Sequence, residues 1–290
     1  MKRIFKRSLI LFAVCFIQTS CQNEPDNPTK ILNPCLSGYS GESLDIITWN
    51  AHEFPSNGDE TIMRVSSEVL QIDADIVALQ EVTNRDDFNK LLTMLPGYHG
   101  LIDAKSELNL AFLIKSNSSF IPGSEKIIFE NDPYVFPRPP FIIAVTDKDG
   151  SQIILINIHL KCCDGAENEF RRKSALEKLK KYLDDSLSTD KVIVMGDFND
   201  EIADDNANYI FRGFLEDTLN YRFGDFSIAS GNNSDWSFPG WPSHIDHFLL
   251  SNELFIRNYS VQCLKPDVCD SSYFINVSDH RPVLFVLNSP

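Results

Sequence analysis

The chain has 290 residues, 43% of them hydrophobic, and a formal net charge of −15 at neutral pH. That apolar content is enough for one large domain or two small ones. The acid excess argues against tight, non-specific electrostatic binding to nucleic acid, which needs a basic surface, although a local basic patch or a bound metal would leave room for a nuclease.

Lys2, Arg3, Lys6 and Arg7 open the chain without an acid, and the apolar run Leu9 to Ile17 follows. That run is too short to span a bilayer as a helix and fits the apolar core of a signal peptide. Ser20-Cys21 then resembles a bacterial lipobox, with Gln18 standing where Leu is usual. The reading is a signal peptide over 1–20 and a lipidated Cys21. A Pro-, Asn- and Ser-rich tether follows to residue 42, and a folded domain covers 43–290. The protein is expected to be exported and lipid-anchored at the cell envelope, on the periplasmic face or the cell surface, and to act as a monomer. Beyond Cys15 and Cys21 stand Cys35, Cys162, Cys163, Cys263 and Cys269, an odd number that leaves at least one unpaired within the chain. Cys263–Cys269 is the expected disulfide, since the short loop between them costs little entropy to close. A Cys162–Cys163 bond, or a link from Cys35 to either of these, is the second candidate. No CxxC pair occurs, so metal chemistry falls to oxygen ligands.

Ser43 to Asn50 reads as a strand ending on Asn50. A helix over about Ile62 to Ile72 follows, capped by Asp59 or Thr61. The apolar run Ile76 to Leu79 leads into Gln80 and Glu81, and a helix from Arg85 to Met94 closes at Pro96-Gly97. Asn109 to Lys115 is a further strand. The loop from Pro133 to Pro140 carries Arg138 among prolines. Phe141 to Thr146 and Ile153 to Leu160 pair across Asp149-Gly150, a hairpin signal, and place His159 near a strand end. The helix Glu167 to Leu187 leads to Val192-Ile193-Val194-Met195, a strand buried on both faces. Gly196 ends that run, and Asp197, Phe198, Asn199 and Asp200 follow. Strands His244 to Ser251, Tyr259 to Leu264 and Pro282 to Leu287 close the chain, with Ser278-Asp279-His280 before the last. Strands outnumber helices, which predicts an α/β fold of two face-to-face sheets with helices outside. Neither GxGxxG nor GxxxxGK is present, so nucleotide-cofactor readings lack support.

Each strand-end residue has a plain structural alternative. Asn50 suits a turn, Glu81 a helix start, His159 a core histidine, and Asp246 an ion pair with Arg257. Asp197 to Asp200 suits an Asx turn. All of these holding at once is far less expected than one shared site.

Taken together, Thr48-Trp49-Asn50, Leu79-Gln80-Glu81, Asn157-Ile158-His159-Leu160, Gly196-Asp197-Phe198-Asn199, Ile245-Asp246 and Ser278-Asp279-His280-Arg281-Pro282 resemble the endonuclease/exonuclease/phosphatase superfamily over about residues 43–288. The resemblance implies the four-layer α-β-β-α sandwich of pancreatic-type deoxyribonuclease. It also implies a divalent cation, Mg2+ or Mn2+, held by Glu81 and Asn50, with Asp246 and Asp279 contributing. Asp197 would orient or deprotonate the attacking water, and Asn199 and His159 would hydrogen-bond the phosphoryl group. His280, buttressed by Asp279, would serve as general acid/base or transition-state donor. The implied substrate is a phosphate ester: nucleic acid, or an inositol, sugar or lipid phosphate. A binding module without activity is the reading from another class, and the intact motif set counts against it. His244 stands where the family often has a basic residue, and Glu107 is the available acid partner for His159. Cys162-Cys163, beside the site, departs from the family pattern.

Overall fold

The computed structural model describes residues 33–36, 44–118, 120–204 and 210–288. The predicted signal peptide, Cys21 and most of the tether lie outside them. In chain order the elements are β1 (Leu44–Phe54), α1 (Asp59–Ile72), β2 (Ile76–Val82), α2 (Arg85–Thr93), β3 (Tyr98–Ile102), β4 (Asn109–Lys115) and β5 (Lys126–Ile127). They continue as β6 (Phe141–Thr146), β7 (Gln152–His159), α3 (Ala166–Ser186), β8 (Lys191–Asp197), α4 (Arg212–Leu215), β9 (Tyr221–Phe223) and α5 (Phe226–Ala229). The chain ends with β10 (Asp246–Ser251), β11 (Tyr259–Cys263), α6 (Pro266–Cys269), α7 (Tyr273–Asn276) and β12 (Val283–Leu287).

The strands form two six-stranded sheets, ordered β11-β12-β1-β2-β4-β3 and β5-β6-β7-β8-β10-β9. Their apolar runs lack alternation because both faces of each sheet are covered. Ile46, Ala78, Phe112, Ile143, Leu155, Ile193, Phe248 and Phe285 fill the space between the sheets. The neighbours Ile47, Val77 and Leu79 point outward and pack with Val65 and Val69 of α1 and Phe88 and Leu91 of α2. On the far side Leu176, Leu179 and Leu183 of α3 cover Ile156, Val192 and Val194. The predicted α-β-β-α sandwich is the observed fold. A buried leucine of such a stripe, Leu179 for example, should cost about 2–5 kcal/mol when cut to alanine.

Topology explains why distant residues meet. β1 and β2 are parallel, joined by α1; β7 and β8 are parallel, joined by α3. The carboxyl ends of β1 and β2 carry Asn50 and Glu81, and those of β7 and β8 carry His159 and Asp197. β10 runs antiparallel to β8 with Asp246 opposite Asp197, and β12 runs antiparallel to β1. Their amino ends therefore return to the same rim. Beneath it, the Gln80 amide donates to Thr48 Oγ1 at 3.1 Å and to Asn157 Oδ1 at 2.8 Å. Asn157 donates in turn to the Leu79 and Ala111 carbonyls, so a buried polar network crosses between the sheets.

Several boundaries differ from expectation. β1 runs past Asn50 to Phe54 through a register shift against β2. Helix α1 starts at Asp59 with Gly58 as its N-cap, and neither Asp59 nor Thr61 caps it. The edge strand β3 was not anticipated; its Gly100 lets the Phe88 ring approach to where a Cβ would sit 2.7 Å away. Asn33 to Leu36, expected in the tether, packs on the domain. Leu36 joins the outer core of the first sheet, and Asn33 bonds Gln71 and the Pro266 carbonyl.

The expected Cys263–Cys269 disulfide is corrected. Cys269 on α6 bonds Cys35, with a Cα–Cα distance of 5.7 Å. Cys263 ends β11 facing the core between the sheets and is free, as are Cys162 and Cys163. The inward side of the strand took Cys263 out of reach, which loop length alone did not show.

Candidate active site

At the rim, Asn50 donates through Nδ2 to Asp197 Oδ2 at 2.9 Å and to Glu81 Oε1 at 3.2 Å. Its Oδ1 accepts from the His52 amide at 3.0 Å. Asn50 was expected to share a cation with Glu81. Beyond that backbone contact its oxygen keeps a second lone pair, and its Nδ2 orients two carboxylates. Glu81 has φ 62, a left-handed backbone in a strand, and the register of β2 slips around it. Such a bulge re-aims a side chain. Here Glu81 Oε2 also accepts from the Glu53 amide at 2.8 Å, so one edge of the carboxylate is fixed.

Asp197 ends β8 and is almost wholly buried. Its approach depends on Gly196, at φ 145, where an added Cβ would lie 1.9 Å from the Ile158 carbonyl oxygen. No other residue fits that contact. Asn199, at φ 55, turns away from the strand rather than continuing it. Its amide N–H donates to Asp197 Oδ1 at 2.8 Å and its Nδ2 donates to the Leu160 carbonyl at 3.2 Å. Burial, together with the charge of Asp246, pushes the Asp197 carboxyl up to about 7.

His159 Nε2 lies 3.5 Å from Asp197 Oδ2 and 3.7 Å from Glu81 Oε1. Burial, then the charges of Arg138, His280 and Lys161, hold this imidazole neutral, well below its ordinary basicity. Its Nδ1 is buried without a partner, and among the described residues Glu107 makes no ion pair with it.

The buttress of His280 is Asp246, and the expected role of Asp279 is corrected accordingly. His280 Nδ1 lies 2.8 Å from Asp246 Oδ2, whereas Asp279 Oδ1 is 4.0 Å from Nε2. Asp246 sits inside, at the start of β10; Asp279 turns outward and pairs with His52 at 3.2 Å. Burial would lower the basicity of His280, but the Asp246 carboxylate outweighs it and pushes the ring up to about 10. The ring is therefore an imidazolium at neutral pH, with Nε2 3.9 Å from Asp197 Oδ2. Phe238 lies against it at 4.7 Å.

Other residues complete the site. Ser278 Oγ donates to the Asn50 carbonyl at 2.6 Å and accepts from the His280 amide at 3.0 Å, locking β1 to the histidine. The Tyr273 hydroxyl donates to the His280 carbonyl at 2.7 Å. Ser278 was legible as part of its motif, and His52 only as the second residue after Asn50. Arg138 gave no site signal in the sequence. It is buried, and its Nη2 donates to the same Leu160 carbonyl that holds Asn199.

Asp197, Asp246 and His280 present donor atoms within 4.8 Å of one another; with the His280 ring protonated, the two carboxylates are the members of the set able to hold a metal ion. Asp246 Oδ1 is buried and unpartnered, and Glu81 adds a further carboxylate. An oxygen-rich, acid-heavy set of this kind fits a hard divalent cation, Mg2+ or Mn2+, better than a soft one.

The model of the family described as "Endonuclease/Exonuclease/phosphatase family" matches residues 47–280. A search of curated proteins gives no match. Among solved structures, D. rerio TDP2 complexed with single-strand DNA product is similar, with a TM-score of 0.68 and 16% identity over 86% of this chain and 100% of that one. A mannosyl-6-phosphatase of Bacteroides thetaiotaomicron gives a TM-score of 0.62 at 15% identity over 85% and 100%. The human Nocturnin catalytic domain with bound sulfate gives 0.61 at 18% identity over 86% and 95%. At these identities the likeness shows the fold alone.

Proposed function

Because the chain belongs to the endonuclease/exonuclease/phosphatase family, whose members are phosphoric ester hydrolases, we propose that it is a divalent-metal-dependent phosphodiesterase of the nuclease type. One observation carries the reading: Glu81, His159, Asp197 and His280, from four strand ends, meet within ion-pair distance of a single carboxylate oxygen or of one another. A bound cation would be held by Glu81 with Asp246, and would neutralise phosphoryl charge and steady the leaving group. Asp197, poised near neutrality, orients and deprotonates the attacking water. The His280 imidazolium, held by Asp246, donates from Nε2 to the phosphoryl or leaving oxygen. Asn199 and neutral His159 flank the same space and fix the phosphoryl group. Asp279, paired with His52, lines the outer edge. Catalysis is then positioning plus electrostatics.

A second reading is a phosphatase or phospholipase C-like enzyme on inositol, sugar or lipid phosphates. The net charge of −15 favours it, since a long polyanion meets a repulsive surface. Export and lipid anchoring at Cys21 are part of the proposal. The Cys35–Cys269 disulfide supports an oxidising compartment, and the protein is taken to work as a monomer. Turnover by the full chain with Mg2+ or Mn2+ on plasmid DNA, RNA, bis-p-nitrophenyl phosphate, inositol phosphates and sphingomyelin separates the two readings. Full turnover by both EDTA-treated protein and Glu81→Ala would reject metal dependence. A native protein found soluble, with an N-terminus other than Cys21, would reject the anchor.

A further inference from the structure

We propose that Cys162 and Cys163 are a redox-modification site: a vicinal dithiol that closes to a disulfide between chain neighbours by exchange with a small-molecule disulfide. The chemistry goes beyond the phosphoester reading above; only its effect on rate rests on that reading. The two sulfurs share a hydrogen bond at 2.8 Å, within about an ångström of the disulfide bond length of about 2.05 Å. Cys162 is half-buried and Cys163 exposed, so a small oxidant reaches the pair. Cys263, the other free thiol among the described residues, is shut in the core between the sheets. Lys161 Nζ lies 3.6 Å from Cys162 Sγ, a positive charge facing the sulfur that attacks as thiolate. In the first step that thiolate attacks one sulfur of the oxidant, displacing a thiol and leaving a mixed disulfide on Cys162. Cys163 then gives up its proton and attacks the Cys162 sulfur, displacing the second thiol. Two electrons pass to the oxidant, which leaves as two thiols carrying the two protons.

Chain geometry makes such a bond reversible. Neighbouring Cα atoms stand about 3.8 Å apart across a trans peptide, short of the roughly 4.4 Å at which ordinary disulfides begin. The ring therefore closes under strain, and strained, exposed disulfides are the readily reduced ones. Cys35 and Cys269, with Cα atoms 5.7 Å apart, lie inside the ordinary range. The pair is also wired to the active site. Cys163 has φ 78, a left-handed backbone that a cysteine keeps only where its surroundings hold it. Arg172 does the holding: its Nη1 donates to the Lys161 and Cys163 carbonyls, each at 3.0 Å, and its Nε to Asp200 Oδ2 at 2.8 Å. Two residues before Cys162, the Leu160 carbonyl accepts from Asn199 Nδ2, and the Leu160 amide donates to the Asp197 carbonyl. Ring closure turns the Cys163 carbonyl away from Arg172 and pulls on Leu160, so the oxidation state is felt where Asp197 and Asn199 are placed.

The test equilibrates the full chain in buffers of graded glutathione to glutathione disulfide ratio, traps free thiols by alkylation and weighs the tryptic peptide Cys162–Arg171. In oxidising buffer that peptide should be lighter by two hydrogens and carry no alkyl group. As the ratio turns reducing it should open while Cys35–Cys269 is still closed. Cys163→Ser should stop at a glutathione adduct on Cys162. Turnover of bis-p-nitrophenyl phosphate should fall roughly tenfold or more in the closed form, since misplacing a positioning group by about 1 Å can cost about a hundredfold. The double variant Cys162→Ser/Cys163→Ser should turn over alike in both buffers. A peptide that stays alkylatable, or takes glutathione on each cysteine without closing, overturns the dithiol. Opening only together with Cys35–Cys269 overturns its reversibility, and equal turnover of closed and open wild type overturns the coupling. The peptide masses do not use turnover, so their failure is distinct from failure of the hydrolase reading, which shows as a reduced wild type with no activity.

Discussion

Two buried clusters of aspartate and histidine lie among the described residues, one in the second sheet and its loops and one at the rim where strand ends of both sheets meet, and only the latter has room for chemistry. In Asp225, His244 and His247 every valence is filled. Asp225 Oδ2 faces His244 Nε2 at 3.0 Å and His247 Nδ1 at 2.6 Å, and its Oδ1 accepts from the Phe248 amide at 2.8 Å. The Ser237 amide donates to His244 Nδ1, so that ring carries its proton on Nε2. His247 Nε2 faces the Asp200 carbonyl, which only accepts, so both nitrogens of His247 are protonated. Asp225 is thus a carboxylate against an imidazolium, and its carboxyl is held low despite burial by the two histidines. These donors are close enough for a metal. However, a ligating His244 would need a proton on Nδ1, where an N–H already points. The Asp197, Asp246 and His280 cluster differs in having lone pairs left over, at Asp246 Oδ1 and at neighbouring His159 Nδ1. Donor proximity alone does not mark a metal site; unfilled valence in an acid-heavy pocket does.

The largest break between the clusters should appear in rate. Asp197→Asn or His280→Asn should lower turnover by about 10²–10⁴-fold, the usual contribution of an acid/base group. His244→Gln, which keeps a donor toward Asp225, should leave the rate of the folded protein within a few-fold of wild type. Equal rate losses in the two clusters would sink the distinction.

Stability should break in the opposite direction. Asp225→Asn leaves a buried imidazolium short of its counter-ion and should cost about 3–5 kcal/mol. Asp197→Asn removes a desolvated carboxylate from beside Asp246, so the metal-free protein should melt at or above the wild-type temperature, the trade-off expected of a functional group. Melting both variants in EDTA decides this; Asp197→Asn melting far below wild type would refute it.

The sequence made one of these regions legible and hid the other. Short motifs at strand ends revealed Glu81, His159, Asp197, Asp246 and His280, because unbroken apolar runs place strand ends well and polar residues there need a reason. The four-layer fold followed from the same runs. Which carboxylate holds His280 was not legible. Asp279 is its chain neighbour, but Asp246, 34 residues away, is its spatial one, and only the antiparallel pairing of β10 with β8 reveals that. His244 read only as a departure from the basic residue the family often has there, and nothing singled out His247. Their partner, Asp225, sits in a loop with no motif. Cys35 was lost to the tether for the same reason: nothing local marks a segment that docks through Asn33, Leu36 and a distant Cys269. Position at a strand end also did not show how deeply these groups lie: His159, Asp197 and His280 are all buried. His280→Ala should therefore lose stability as well as rate, which is why asparagine is the better test.

A metal titration sharpens the contrast further. Mn2+ at about a hundredfold excess over its dissociation constant should stabilise the protein by about 2.7 kcal/mol. Glu81→Gln should abolish most of that gain, and His244→Gln should leave it whole. A gain lost with His244 instead would move the metal to the closed cluster.

The smallest effect expected is in the pH dependence of stability, and its sign is fixed by the two aspartates. Asp197 is pushed up to about 7 in the folded protein, against about 3.9 in an unfolded chain. Between those values the folded state keeps a proton that the unfolded state has released, so stability falls as pH rises through the window. Asp225 is held low, so its contribution is present above about pH 4 and is lost only on further acidification. Against burial, His280 is pushed up to about 10 chiefly by Asp246 and in smaller part by Asp197, so its ring stays charged in wild type and Asp197→Asn alike up to pH 7 and adds little to their difference within the window. In EDTA, the melting temperature of Asp197→Asn minus that of wild type should therefore widen from pH 4 to pH 7 and level off above. Asp225→Asn should show no such widening; its deficit should already be full at pH 5 and shrink only toward pH 3. A difference between Asp197→Asn and wild type that stays flat across the window would mean that Asp197 ionises normally and is not the base poised near neutrality.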